Sequence, residues 1–178
     1  MKNLKKISAI LLFLIITSVG VFISCSKETD EVKQTNSNQL RIVAGTEIGE
    51  LRTGNVFVIT ADESDLLAEF DALGRAEGFS YTMTGIEIVE VVDEVDSHRT
   101  HYLLYAHDRD YEAKAACFLE LVNGKFMAMS GPTVTCTSTN CQFGCAPGAV
   151  YNPSTGHSVL TCTTCANPCT KTATATLR

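Results

Sequence analysis

The chain has 178 residues, a formal net charge of −6 and 8 cysteines. That length accommodates one ordinary domain plus a small appendage, and the acidic balance excludes electrostatic attraction to nucleic acid or to anionic lipid headgroups. Charge is placed unevenly. Residues 61–112 hold 14 acidic side chains and three arginines, whereas residues 126–170 hold no Asp, Glu, Lys or Arg.

Lys2, Lys5 and Lys6 precede an apolar run from Ile7 to Ile23, followed by Ser24. A basic start, an apolar stretch and a small residue before the cut form a secretory signal peptide. The run Phe22-Ile23-Ser24-Cys25 resembles the lipobox of bacterial lipoproteins, with Phe22 standing where that motif usually carries Leu. The resemblance covers residues 1–31 and implies cleavage before Cys25, lipidation of that cysteine (palmitate among the acyl groups) and an envelope address. Ser26-Lys27 followed by Glu28, Asp30 and Glu31 resembles the export tag of Gram-negative lipoproteins displayed at the surface. The expected location is therefore the outer membrane, lipid-anchored. The competing reading is an uncleaved transmembrane anchor formed by the apolar run. Cleavage would remove residues 1–24, with three lysines and no acid, and take the net charge from −6 to −9. Residues 26–39 are polar apart from Val32, and residues 25–39 read as a lipidated N-terminus with a flexible tether.

Residues 40–131 carry the periodicities of a folded body. Asn55–Thr60 is β-branched and apolar and reads as a strand. Thr60 and Glu63 match a capping box, and Leu66, Leu67, Phe70 and Leu73 then recur at helical spacing. A helix is expected over about 61–77, with Gly78 as its stop. Alternation follows in Tyr81–Asp93, His101–His107 and Ala113–Val122, and Asn123-Gly124 is a hairpin turn leading into Lys125–Ser130. The expected class is α+β, one helix packed on an antiparallel meander sheet of four to five strands. Cystatin-like helix-on-sheet folds share this order, a resemblance of fold alone.

From Gly131-Pro132 onward the composition shifts to Cys, Thr, Ser, Gly and Pro, so residues 132–178 are expected to be a loop-dominated, disulfide-braced segment with a Thr-rich tail. Six cysteines lie there: Cys136, Cys141, Cys145, Cys162, Cys165 and Cys169. An even count in an exported chain points to disulfides, and a segment with few large apolar residues needs them to hold a shape. Fifteen pairings are open. The alternative is a zinc site at Cys141, Cys145, Cys162 and Cys165, or a redox pair at Cys162 and Cys165. Ferredoxin spacing is absent. Neutral disulfides suit a stretch without cations, since thiolates would need positive neighbours. Cys117 shares a strand face with Leu119 and Leu121 and reads as a buried, inert thiol.

The remaining candidates assemble no chemistry on the sequence alone. His98 and His101 are three apart, and His101 and His107 are too far apart along one strand to share an ion. His157 is the one nitrogen donor among the cysteines. Asp93-Glu94-Val95-Asp96 and Asp108-Arg109-Asp110-Tyr111-Glu112 resemble calcium loops superficially, but fall at opposite ends of a meander and lack the EF-hand glycine. No nucleophile elbow, P-loop or H-E-x-x-H motif occurs. The expectation is a non-catalytic, lipid-anchored binding or scaffolding module with a protein or glycan partner, no nucleic-acid partner and no cofactor. A zinc-binding or electron-transfer lipoprotein using the cysteine cluster is the alternative.

Overall fold

The computed structural model describes residues 42–138, 141, 145–165 and 169–175. Cys25 and the tether lie outside the described residues. The elements in chain order are β1 (Glu47–Arg52), β2 (Val56–Ile59), α1 (Glu63–Ala76), β3 (Met83–Val92), β4 (Thr100–Asp108), β5 (Ala113–Val122), β6 (Lys125–Ala128), β7 (Pro132–Thr137), β8 (Pro147–Asn152), β9 (His157–Cys162) and β10 (Thr170–Ala175). No helix among the described residues is long and apolar enough to cross a membrane.

The helix lies inside its expected stretch, but its cap is Asp62 and not Thr60. The Thr60 amide still donates to Ile48 O, in the sheet. The Asp62 carboxylate instead accepts from the amides of Ser64 and Asp65 at 2.9 and 3.1 Å. At the other end, Gly78 (φ +84°) lets Phe79 N bond to Gly74 O and Gly78 N to Arg75 O, which terminates the helix in a Schellman motif.

β3, β4, β5 and β6 form the expected antiparallel meander, and Asn123-Gly124 turns the last hairpin with both residues in left-handed backbone. The sheet is larger than the four to five strands expected. It has eight, in the order β10-β7-β5-β6-β1-β2, with β4 and β3 on the other side of β5. The long strand β5 makes this possible. Along one edge it pairs with β4, and its other edge is shared between β7 at residues 113–116 and β6 at 119–122.

The segment expected to be loop-dominated supplies four strands. β7 and β10 extend the main sheet, and β8 and β9 form a separate hairpin. Threonine explains the difference. In Pro132–Thr137 the residues Thr133, Thr135 and Thr137 alternate with Val134 and Cys136, and all five are buried. A β-branched hydroxyl side chain fits a pleated, covered surface as well as it fits a turn.

The sheet therefore has two covered faces. On the first, Leu66 and Phe70 of α1 pack against Ile48, Ile88, Leu104, Cys117 and Phe126. Phe57, Tyr102 and Phe126 add edge-to-face contacts with centroids 5.1 to 5.6 Å apart. On the second face, Leu103, Ala116, Val134 and Cys136 meet Leu160 of the β8–β9 hairpin and Cys145. Phe70 is 1% exposed, so Phe70→Ala should cost about 3–5 kcal/mol. Thermal unfolding of the two proteins tests this, and an unchanged midpoint would mean that α1 contributes little to the core.

Candidate functional site at the disulfide-braced hairpin

The six C-terminal cysteines pair in order: Cys136 with Cys162, Cys141 with Cys165 and Cys145 with Cys169. The first half of the cluster is thus laid alongside the second. Sequence separations of 24 to 26 give each bridge a loop worth about 2–4 kcal/mol of lost unfolded-state freedom. The four cysteines of the zinc alternative are divided among all three bridges, and Cys162 and Cys165 bond to different partners instead of to each other. No group of three His, Cys, Asp or Glu side chains among the described residues is placed to hold a metal ion. Cys117 is the free cysteine among the described residues and is buried on the α1 face. Burial pushes its thiol up to about 12.

The centre that fastens the hairpin to the body is Asp93, at the end of β3. Its side chain is fully buried. Oδ1 accepts from the amides of Val95, Asp96 and Tyr151 at 2.9, 3.1 and 2.9 Å. Oδ2 accepts from Ser158 Oγ at 3.1 Å and lies 3.3 Å from His101 Nε2. Burial alone would raise this carboxyl's pKa, but the donors from Tyr151, Asp96, Val95 and Ser158 outweigh it and hold the group well below the usual carboxylate range. Beside it, Glu94 N donates to Ala149 O, and the Arg99 guanidinium lies 4.1 Å from the Tyr151 ring centroid.

Ser158, His101 and Asp93 are the side-chain types of a hydrolytic triad, but here Asp93 stands between the other two. A nucleophile needs the imidazole against its hydroxyl to take the proton. Ser158 instead donates its proton to a carboxylate that already accepts four other contacts. The hydroxyl thus bonds to the carboxylate and not to the imidazole.

The other candidates are dispersed. His98 is exposed in the β3–β4 turn, where the Asp96 carboxylate accepts from its amide and pairs with Arg99. His107 stacks on Tyr111 at 4.0 Å, and its Nδ1 donates to Asp108 O at 2.7 Å. Asp108 accepts from Ala113 N. The acidic turns containing Asp93 and Asp108 flank β4 at its two ends, so their carboxylates do not meet. His157 begins β9 at the rim of a cleft.

Two lysines stand against the run of six cysteines without being part of it. Lys114 is 2% exposed, and its Nζ donates to Cys141 O at 3.1 Å. Burial lowers its pKa, and Asp108 opposes that shift. Lys171 Nζ donates to Leu160 O at 2.6 Å. Both lie outside the charge-free stretch 126–170, so composition counted over that window conceals them. Lys114 did leave a signal, as the one charge in Ala113-Lys114-Ala115-Ala116-Cys117-Phe118, a strand apolar on both faces.

A cleft lies in this region. It has a volume of about 420 Å³, with Phe118 and Val134 on the sheet side, Leu160 on the hairpin side, and Met129, Val159 and Lys171 around them. Met129 and Val159 are 45% and 48% exposed, unusual for large apolar side chains meeting at one place. Comparison with protein-family models, curated proteins and solved structures returns no match.

Asp93 is depressed in the folded state, so its contribution is complete above the unfolded value of about 4 and is lost as pH falls toward the folded one. Asp93→Asn leaves buried donors poorly matched and should lower stability at pH 7 by about 1–3 kcal/mol. The gap between mutant and parent should shrink as the pH drops below about 4; denaturant titrations at pH 7 and pH 3 check this, and a gap independent of pH would contradict it. Separately, reduction should raise amide exchange in β8 and β9 while β3–β5 and α1 stay protected, because the α1 face has its own apolar core. Equal loss of protection throughout would show that the body depends on the bridges. Native protein should leave Cys117 unlabelled by thiol reagents until it is unfolded.

Proposed function

We propose that the chain is a lipid-anchored cell-envelope lipoprotein of a Gram-negative bacterium, held to the outer membrane through Cys25, and that its folded part is a non-catalytic binding module. The observation that carries the binding role is the cleft. A hairpin pinned by three disulfides and by Asp93 overhangs an apolar sheet face and leaves a space of about 420 Å³ beside it. Ligand sites are concave, mostly apolar and preformed, with few polar groups. The cleft has those properties, whereas Ser158, Asp93 and His101 meet with the carboxylate between the hydroxyl and the imidazole.

The anchor reading is supported by the basic start, the apolar run and the Ser24-Cys25 junction. An oxidising compartment agrees with it, because three disulfides persist outside the cytosol. The tether of residues 26–39 would hold the domain away from the bilayer, with a protein or glycan reaching the cleft from outside. Cys25→Ala should release the protein from membranes or leave the precursor uncut. Membrane retention with the full N-terminal segment present and no acyl mass on the parent protein would favour a transmembrane anchor instead.

A further inference from the structure

The two strands of the hairpin have differently treated outer edges. Thr163 N donates to Ala146 O at 2.8 Å, which with the pairing register sets which residues bond across the hairpin. Residues 157, 159 and 161 point their backbone groups at β8, and Ser158 and Leu160 point theirs away. The outer edge of β8 is closed by the body, since Tyr151 N donates to Asp93 and Ala149 O accepts from Glu94 N. The outer edge of β9 has no strand partner among the described residues. One of its groups, Leu160 O, is capped by Lys171 Nζ. Ser158 and Leu160 both line the cleft.

We propose that the cleft takes an extended peptide segment that pairs with β9 as a third strand and places an acidic side chain at Lys171. This rests on the binding-module reading and names its ligand class. Backbone donors and acceptors along one wall require a ligand with complementary groups, which a peptide in strand conformation supplies. Alternate side chains of that strand would then face Phe118, Val134 and Met129. Charge complementarity selects the acidic residue. The cleft is lined by Lys171 and His157 and by no Asp or Glu, in a chain whose net charge is −6. An acyl chain would fill the same apolar space but leave the edge of β9 unpaired.

The test uses the full lipidated chain in detergent micelles and a library of end-blocked hexapeptides alternating apolar and polar residues, with and without one Glu. Glu-containing members should bind and slow amide exchange at Ser158 and Leu160. Lys171→Glu should weaken them at least tenfold and Lys171→Arg should not, and the exposed-site variant Met129→Glu should also weaken them. N-methylation of alternate peptide amides should abolish binding in one of its two registers. Binding that ignores both N-methylation registers, or that leaves Ser158 and Leu160 unprotected, overturns the proposal. If no hexapeptide binds but decanoate perturbs Phe118 and Leu160, the inference fails and the binding-module reading survives. If neither probe perturbs the cleft, both fail.

Discussion

The Asp93 carboxylate gathers donors from its own turn, from β8 and from β9, and the placement of the hairpin depends on it. A buried carboxylate is costly unless each oxygen is satisfied. Here Oδ1 has three backbone donors, and Oδ2 faces a hydroxyl and an imidazole, so the charge is retained. The bonds are geometrically demanding. Tyr151 N must lie at one height along β8 and Ser158 at a matching height along β9, which fixes the hairpin's translation over the sheet. Leu160 then falls on Leu103, Ala116 and Val134.

Asp93 acts at one end of the hairpin and the disulfides act at the other. Cys136–Cys162 ties the end of β9 to β7, and Cys141–Cys165 and Cys145–Cys169 bind the flanking chain. The difference in chemistry follows from what each end offers. Near Asp93 the body contributes a rigid turn with ordered amides. Beyond Cys162 the chain has few large apolar residues to bury, and burial at about 25 cal/mol per Å² yields little there. Covalent closure supplies what apolar contact does not. The α1 face needs none of this, because Leu66, Phe70, Phe126 and Ile48 are fully enclosed.

The elements legible in the sequence were those with one dominant period. α1 shows it through Leu66 and Phe70, and β3 to β6 show it by alternation and by Asn123-Gly124. β1 went unread because its alternation is broken. Its register with β6 shifts between Glu47 and Gly49, and Gly49 has no side chain to mark a face. A Cβ there would lie 2.3 Å from Val58 O and 2.7 Å from Ile88 Cδ1, so the glycine serves close approach. β7 to β10 went unread because Thr, Gly and Pro serve strands and turns alike. The six bridging cysteines were legible as a set, but their partners depend on how β7 and β9 cross, a tertiary fact. Asp93 was visible only as one acid among several, since nothing local reveals that Tyr151 and Ser158, 58 and 65 residues away, supply its donors.

The asymmetry of the hairpin edges follows from the same fastening. Asp93 and Glu94 occupy the backbone edge of β8, and Asp93 reaches β9 through the Ser158 hydroxyl and not through its backbone edge. Among the described residues, the β9 edge carries one cap, from Lys171 to Leu160 O. Open strand edges are usually shortened, charged or covered, because they template pairing with other chains. β9 is six residues long, has no Asp, Glu, Lys or Arg of its own, and lines the cleft through Ser158 and Leu160. Under the strand-addition proposal, this edge is where the added strand would pair. The disulfides and Asp93 hold the hairpin in place beforehand, so a strand added there as proposed would not bear the entropy of ordering the hairpin.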